Sequence, residues 1–292
     1  MKIRARSLVV LAVCALLFPA FSRSAAPPSA KGHLVIIGGG DRTEEIMRRF
    51  VELAGGGEKA RIIVLPMASG VPDTTGMEQT AELKGMGVRN VEWLLFTREQ
   101  AMSKGFADRL NGATGIFFSG GDQARITAVV VGTPVQKKLH DLYAGGAVMG
   151  GTSAGAAIMS KVMITGNELI NKDSTDIFVS IMKGNVETIE GVGFLDDVVI
   201  DQHFVKRKRL NRLLSVVLEH PDLPGIGIDE STAIVVNPDG SCDVVGEGTV
   251  VVFDPRQATG IHTDKHGNLA ARTIITHIYS AGERFTTKTG KP

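Results

Sequence analysis

Short apolar runs alternate with segments of helical periodicity through the first half of the chain, and this alternation constrains the fold most. Residues 33–37, 61–66, 91–95 and 113–118 are apolar runs of strand length, whereas residues 43–54, 78–86 and 133–144 have helical spacing or helix-forming composition. Such an order predicts an α/β fold with a mostly parallel sheet and helices on both of its faces. Beyond residue 230, short strands and turns predict a β-rich C-terminal part.

Length and composition limit the class of protein. A chain of 292 residues with 43% apolar and 22% charged residues can bury a sizeable core. The formal net charge is +1 and aromatic residues make up 5% of the chain. Because nucleic-acid surfaces combine basic grooves with aromatic stacking platforms, we predict no nucleic-acid partner.

The N-terminus has the organisation of a secretory signal. Lys2, Arg4 and Arg6 precede an apolar stretch over 8–18, and small residues follow near 22–26. The apolar stretch is shorter than the roughly 20 residues that a membrane-spanning helix needs. We therefore predict a signal peptide over 1–26, a linker over 27–31 and a single α/β domain over 32–292. The protein would then be secreted or periplasmic, without membrane contact after signal cleavage.

A glycine-flanked serine marks the centre of the predicted site. Ser153 lies between Gly151 and Gly155, after an apolar strand and before a helix-forming stretch. This spacing is the nucleophile-elbow pattern, in which a sharp strand-to-helix turn exposes the serine hydroxyl. The same turn brings the first N–H groups of a helix to the site, where they can stabilise an oxyanion.

A serine nucleophile needs a base and an acid that orients it. His203 follows the apolar run 198–200, and Asp229 and Glu230 follow the run 225–228, so all three lie at predicted strand ends. Strand residues alternate between faces, so only one of the two acids would point into the site. The chain order Ser, His, acid is that of amidotransferase-like folds, whereas α/β-hydrolases have the order Ser, acid, His.

Two other motifs resemble a cofactor site and a metal site but match them only in part. The glycine run 38–40 resembles a dinucleotide-binding loop, but Thr43 stands where the last glycine of the G-x-G-x-x-G motif would be. His262 and His266 have metal-ligand spacing but fall in a predicted turn. We predict neither a cofactor nor a metal.

A cluster of basic residues follows His203. The pattern predicts the basic start of a helix, formed by residues 206–209 and Arg212. Positive charge at this end of a helix opposes the helix dipole. Clustering this charge beside a catalytic base favours a substrate that carries carboxylates, because guanidinium groups pair with carboxylates through two hydrogen bonds.

Several motifs together resemble the cyanophycinase family. These are Gly120-Gly-Asp-Gln123-x-Arg125-Ile126, Gly151-Thr-Ser-Ala-Gly-Ala156, Gly193-Phe-Leu195, Asp201-Gln-His-Phe204 followed by Arg207-x-Arg209-x-x-Arg212-Leu-Leu, and Gly227-Ile-Asp-Glu-x-Thr-Ala233. The resemblance extends from about residue 33 to about residue 255. Lys208 stands where the family usually has glycine, and Asp41-Arg42-Thr43 replaces a usual acidic pair.

The resemblance implies a serine peptidase with a fold related to class I glutamine amidotransferases and aspartyl dipeptidase. It implies Ser153 as nucleophile, His203 as base and Glu230 as orienting acid. N–H groups of Gly121, Asp122 and Ala154 would form the oxyanion hole. Substrate contacts would come from Gln123, Asp201, Gln202, Arg207, Arg209 and Arg212.

The implied substrate is cyanophycin, a polyaspartate with arginine on each side chain, cut to β-aspartyl-arginine dipeptides. An aspartyl or isoaspartyl dipeptidase that acts on short aspartate-containing peptides is the alternative. The prediction also allows a homodimer.

Overall fold

The computed structural model describes residues 32–172 and 178–286. The predicted signal peptide and linker lie outside these residues. The strands are β1 (Leu34–Ile37), β2 (Arg61–Leu65), β3 (Asn90–Trp93), β4 (Gly115–Phe118), β5 (Val148–Thr152), β6 (Val162–Glu168), β7 (Val186–Glu190), β8 (Val199–Gln202), β9 (Gly225–Ile228), β10 (Thr232–Val236), β11 (Ser241–Gly246), β12 (Thr249–Asp254), β13 (Thr259–Thr263), β14 (Leu269–Arg272), β15 (Ile275–Ser280) and β16 (Arg284–Thr286).

The helices mostly connect the strands of the first half. They are α1 (Glu44–Leu53), α2 (Gly56–Lys59), α3 (Pro72–Gly85), α4 (Arg98–Ala101), α5 (Lys104–Ala107), α6 (Gln123–Val130), α7 (Pro134–Ala144), α8 (Ala154–Ala157) and α9 (Leu210–Glu219), with a 3₁₀ turn over Asp108–Leu110. Helix α3 begins well before the predicted start at residue 78, because Pro72 fits the first helical turn. The sequence pattern did not predict this start, since the polar residues after Pro72 have no apolar periodicity.

The largest sheet in the described part of the chain has the strand order β16-β11-β10-β1-β5-β4-β2-β3. From β1 to β3 every neighbouring pair is parallel, and β10, β11 and β16 extend the sheet with antiparallel pairs. Helices cover both faces, since alternate residues of β1 enter two different apolar clusters. Leu34 and Ile36 belong to one cluster, and Val35 and Ile37 belong to the other, which also contains residues of α1. The α/β prediction is confirmed.

A second sheet has the order β15-β12-β9-β8. Its strands β8 and β9 are parallel to each other, whereas β12 pairs antiparallel with β9 and β15 pairs antiparallel with β12. The larger apolar cluster contains Ile200 of β8 and Ile226 of β9 together with residues of β1, so the two sheets share one core. The β-rich C-terminal part is thus confirmed. Among the helices of residues 32–172 and 178–286, none is long and apolar enough to cross a membrane.

Candidate active site

Ser153 lies in a sharp turn between β5 and α8. Its backbone has φ 53° and ψ −107°, a conformation that a non-glycine residue adopts only under strain. The glycines on either side are required by close approach. A Cβ on Gly151 would lie 2.3 Å from the Gly155 carbonyl oxygen, and a Cβ on Gly155 would lie 2.3 Å from that of Phe118. The Gly-x-Ser-x-Gly spacing therefore reflects a turn too tight for larger side chains.

Three side chains form a continuous hydrogen-bonded chain. Ser153 Oγ lies 2.9 Å from His203 Nε2, and His203 Nδ1 lies 2.6 Å from Glu230 Oε1. An ionised carboxylate can only accept hydrogen bonds, so Nδ1 carries the proton and the Nε2 lone pair faces the Ser153 hydroxyl. Glu230 follows β9 in the connection to β10. Asp229 points elsewhere, and its Oδ1 accepts a hydrogen bond of 2.9 Å from the Lys206 N–H.

The loop after β1 holds the three segments that carry these side chains. The Ile37 carbonyl accepts the Ser153 N–H at 3.0 Å, the Gly38 carbonyl accepts the His203 N–H at 2.7 Å, and the Gly39 carbonyl accepts the Ser231 N–H at 2.8 Å. Gly39 has φ +106°, and a Cβ on it would lie 2.3 Å from His203 Cε1. The first glycine run therefore packs against the imidazole of His203. Sequence reasoning missed this role, although the position of the run directly after a buried strand was a usable signal.

Burial lowers the pKa of His203 below its ordinary value of 6.5, and the positive charges of Arg207 and Arg209 lower it further. The hydrogen bond to Glu230 and the negative charge of Glu230 raise this pKa but do not cancel the effect of burial. His203 is buried, with 6% of its surface exposed. At neutral pH the imidazole is therefore neutral and can accept a proton at Nε2. This is the protonation state that a general base requires.

The arginine beside the acid gives a testable pH dependence. Arg207 Nε lies 3.8 Å from Glu230 Oε1, and its charge disfavours the imidazolium form of His203. A base works only when deprotonated, so the acid limb of the pH–rate profile should have its midpoint below pH 6.5. We expect Arg207→Gln to raise the pKa of His203 and move this limb to higher pH. The measurement is kcat/KM against pH with a small uncharged ester, which does not need carboxylate recognition.

Arg89→Gln is the matched control, since Arg89 is exposed, pairs with Glu58 and precedes β3, at the opposite edge of the sheet from the strand ends that carry the site. Its acid limb should overlay that of the wild type. An Arg207→Gln profile that also overlays the wild type would show that this guanidinium does not tune the base.

The three predicted oxyanion donors differ in whether their N–H groups are already hydrogen-bonded. Within the described ranges, neither the Ala154 N–H nor the Gly121 N–H donates to another group. The Asp122 N–H does not fit the prediction, because it donates to the Ala68 carbonyl at 2.9 Å. Its side chain instead caps α6 by accepting the Ala124 N–H at 2.8 Å. Ala154 and Gly121 are thus the candidate donors.

A cleft of about 270 Å³ on one side of Ser153 contains most of the predicted substrate contacts. Its lining includes Gln123, Gln202, Arg207, Arg209 and Arg212. Asp201 does not line it. This residue is 1% exposed and holds Arg212, itself 2% exposed, through two hydrogen bonds, one of them 2.9 Å from Arg212 Nε to Asp201 Oδ2. Asp201 is therefore a positioning partner for Arg212 rather than a substrate contact.

Other polar side chains of the cleft are also fixed by internal partners. Arg209 Nη1 donates to the carbonyl oxygen of Gln202 at 2.8 Å and to its Oε1 at 2.6 Å. Gln123 Nε2 donates to the carbonyls of Ile164 and Thr165 at 2.8 and 2.7 Å. Arg207 differs from these residues, because 48% of its side chain is exposed. It is the arginine most accessible to a ligand.

The basic segment is a turn and not the start of a helix. Helix α9 begins at Leu210, and Arg209 is its N-cap residue with φ −85° and ψ 9°. Lys208 has φ 53°, in the left-handed region that favours glycine. Lys208 adopts this conformation at a cost of about 1–2 kcal/mol, which a glycine would avoid.

The fold and the nucleophile corner define an α/β serine peptidase. The chain belongs to peptidase family S51, whose model matches residues 34–243. It is 37% identical over 270 residues to a cyanophycinase of Synechococcus elongatus, with 89% of this chain and 80% of the relative covered. A cyanophycinase of Geminocystis herdmanii is 32% identical over 273 residues, with 90% and 96% covered.

Solved structures show the same fold at lower identity. A peptidase from an acI-B1 Actinobacterium aligns with a TM-score of 0.66 and 20% identity, over 89% of this chain and 98% of that one. A putative peptidase E protein from Listeria monocytogenes aligns with a TM-score of 0.50 and 17% identity, over 74% and 99%. These two likenesses extend to the fold alone.

Proposed function

We propose that the protein is a secreted or periplasmic serine peptidase that hydrolyses cyanophycin to β-aspartyl-arginine dipeptides. The observation that carries this proposal is the hydrogen-bonded series from Ser153 through His203 to Glu230, placed beside an arginine-lined cleft. The proposed substrate is inferred from relatives named cyanophycinase, which are 32–37% identical to this chain over about 90% of its length. The charged and apolar pattern of residues 1–26 supports export.

The chemistry follows from the positions of these groups. Ser153 Oγ attacks the peptide carbonyl carbon while His203 Nε2 takes the hydroxyl proton. The Ala154 and Gly121 N–H groups stabilise the negative charge on the carbonyl oxygen. His203 then donates its proton to the leaving nitrogen as the C–N bond breaks, which leaves an acyl-enzyme. Water, deprotonated by His203, attacks the acyl carbon. His203 then returns this proton to Ser153 Oγ as the ester bond to the serine breaks, which releases the product.

Glu230 acts through its hydrogen bond and not as a proton acceptor. Its hydrogen bond to Nδ1–H fixes the tautomer of His203 and stabilises the imidazolium that forms at each proton transfer. Substrate carboxylates would enter the cleft of about 270 Å³ and meet the exposed guanidinium of Arg207 first. The internal bonds of Arg209 and Arg212 hold both groups in place before substrate arrives, which lowers the entropic cost of binding.

The substrate is tested by incubating the purified protein with cyanophycin and identifying soluble products by mass. We expect release of β-aspartyl-arginine. A matched incubation with short aspartate-containing peptides identifies the dipeptidase alternative. Cleavage of those peptides without release of dipeptide from the polymer would reject the cyanophycin assignment and favour the dipeptidase.

A further inference from the structure

We infer that a second cavity beside Ser153 binds a guanidinium group of the substrate, through Glu78 and Gln79 of α3. This inference rests on the proposed function and specifies which part of the substrate is recognised on the side of the nucleophile away from the arginine cleft.

The cavity has a volume of about 370 Å³ and is separate from the arginine cleft. The two spaces share Ser153 in their linings and no other residue. The floor near the nucleophile consists of the glycine loop, Gly120, Thr152 and His203, and the wall consists of Arg42 and residues of α3. A substrate whose scissile carbonyl lies at Ser153 therefore has room to extend in both directions.

The charge of the wall is opposite to that of the arginine cleft. Glu82 is paired with Arg42, whose Nη2 lies 2.5 Å from Glu82 Oε2. Glu78 is exposed and, among the residues that the structure describes, has no ion-pair partner. One carboxylate therefore remains uncompensated in this cavity, whereas the cleft contains three arginines, of which Arg212 is paired with Asp201 and Arg207 lies 3.8 Å from Glu230.

The next residue of α3 lines the same cavity and carries a buried acceptor. Gln79 is 6% exposed, and its Oε1 accepts no hydrogen bond within residues 32–172 and 178–286. A buried polar atom without a partner destabilises the folded state, so each such atom in a native protein needs an explanation. An N–H donor from a ligand in the cavity would remove this cost.

The two acceptors together select the class of ligand. A group that satisfies both must carry positive charge for Glu78 and offer several N–H donors in different directions. Guanidinium is planar and presents five such donors, whereas an ammonium is a compact, strongly hydrated point charge. A repeating unit that carries both a carboxylate and a guanidinium would be recognised at opposite ends by the two cavities.

The experiment compares synthetic β-aspartyl-arginine oligomers with oligomers in which one repeat beside the scissile bond carries citrulline, on either side in turn. The urea of citrulline has the shape of guanidinium but no charge. We expect the wild type to lose about tenfold in kcat/KM at one of the two positions, as for one charge-assisted hydrogen bond. Glu78→Gln should cleave the arginine and citrulline oligomers at equal rates at that position.

Asp73→Asn is the matched control, because it removes a carboxylate from the same helix at a residue that does not line the cavity. It should keep the wild-type preference for arginine. A Glu78→Gln variant that also keeps the wild-type preference at both positions would overturn the inference, whereas the proposed function would stand.

Binding of methylguanidinium, followed by NMR, separates failure of this inference from failure of the proposed function. If the wild type cleaves no oligomer, the proposed function fails and binding decides the inference. Weaker binding to Glu78→Gln than to the wild type and Asp73→Asn would support the guanidinium site. Equal binding to all three proteins would overturn it.

Discussion

Ser153→Ala is expected to lower the rate of hydrolysis by about a million-fold, the loss observed when the nucleophile is removed from a triad that acts as a unit. The hydroxyl is the group that His203 Nε2 is placed to deprotonate, and the acyl-enzyme of the proposed mechanism forms on its oxygen. Alanine fits the same backbone position, so the fold and its thermal stability should be retained. The measurement is kcat on an activated ester and on cyanophycin, with circular dichroism to check folding.

Ser231→Ala is the matched control for this variant. Ser231 also has a positive φ, 54° against 53° for Ser153, and its N–H donates to the Gly39 carbonyl, as the Ser153 N–H donates to the Ile37 carbonyl. Both variants therefore place alanine at a positive φ, but only one removes the hydroxyl beside His203. Near-normal turnover by a folded Ser153→Ala protein would reject Ser153 as the nucleophile.

Glu230→Gln is expected to lower kcat by about ten thousand-fold, as in serine peptidases whose orienting acid is replaced by its amide. The amide has nearly the same shape, but its NH₂ group can face Nδ1 and favour the tautomer with the proton on Nε2. Nε2 can then no longer accept the proton of Ser153. Measurement of kcat with the small ester isolates this effect from substrate recognition.

Asp229→Asn provides the comparison, since it makes the same chemical change at the neighbouring acid. Asparagine can still accept the Lys206 N–H through its side-chain oxygen, so a loss of no more than a few-fold is expected. Equal losses in the two variants, or a larger loss at residue 229, would assign the orienting role to Asp229.

The local structure around the nucleophile could be predicted from sequence because its cause is local. Gly151 and Gly155 are needed within one turn, and the strand and helix on either side have their own patterns. The strands before His203 and before the acids could also be predicted, since apolar runs of this length are buried. That these strands belong to a second sheet could not be predicted, because periodicity shows that a strand is buried but not which strand it pairs with.

The choice between Asp229 and Glu230 shows a second limit. Alternation along a strand predicts that only one acid faces the site, but β9 ends at Ile228 and both acids lie in the following turn. Their directions depend on the Lys206 N–H and on the glycine loop, which are distant in sequence. The burial of Asp201 with Arg212 depends likewise on a long-range contact. Resemblance to a family could indicate Glu230, whereas the residues alone could not.

The hydrogen bonds that the Ile37, Gly38 and Gly39 carbonyls accept have a consequence for how substitutions can alter the specificity of this enzyme. The backbones at or beside Ser153, His203 and Glu230 are all hydrogen-bonded to three consecutive peptide units. A small movement of these peptide units therefore displaces the three side chains together and leaves the distances between them unaltered. The walls that would select the substrate come instead from α3 and from the segment before α9, which are outside this frame. Substitutions in α3 can therefore redirect specificity without a matching adjustment of the bond-breaking apparatus, whereas a change at Arg207 also alters the pKa of His203.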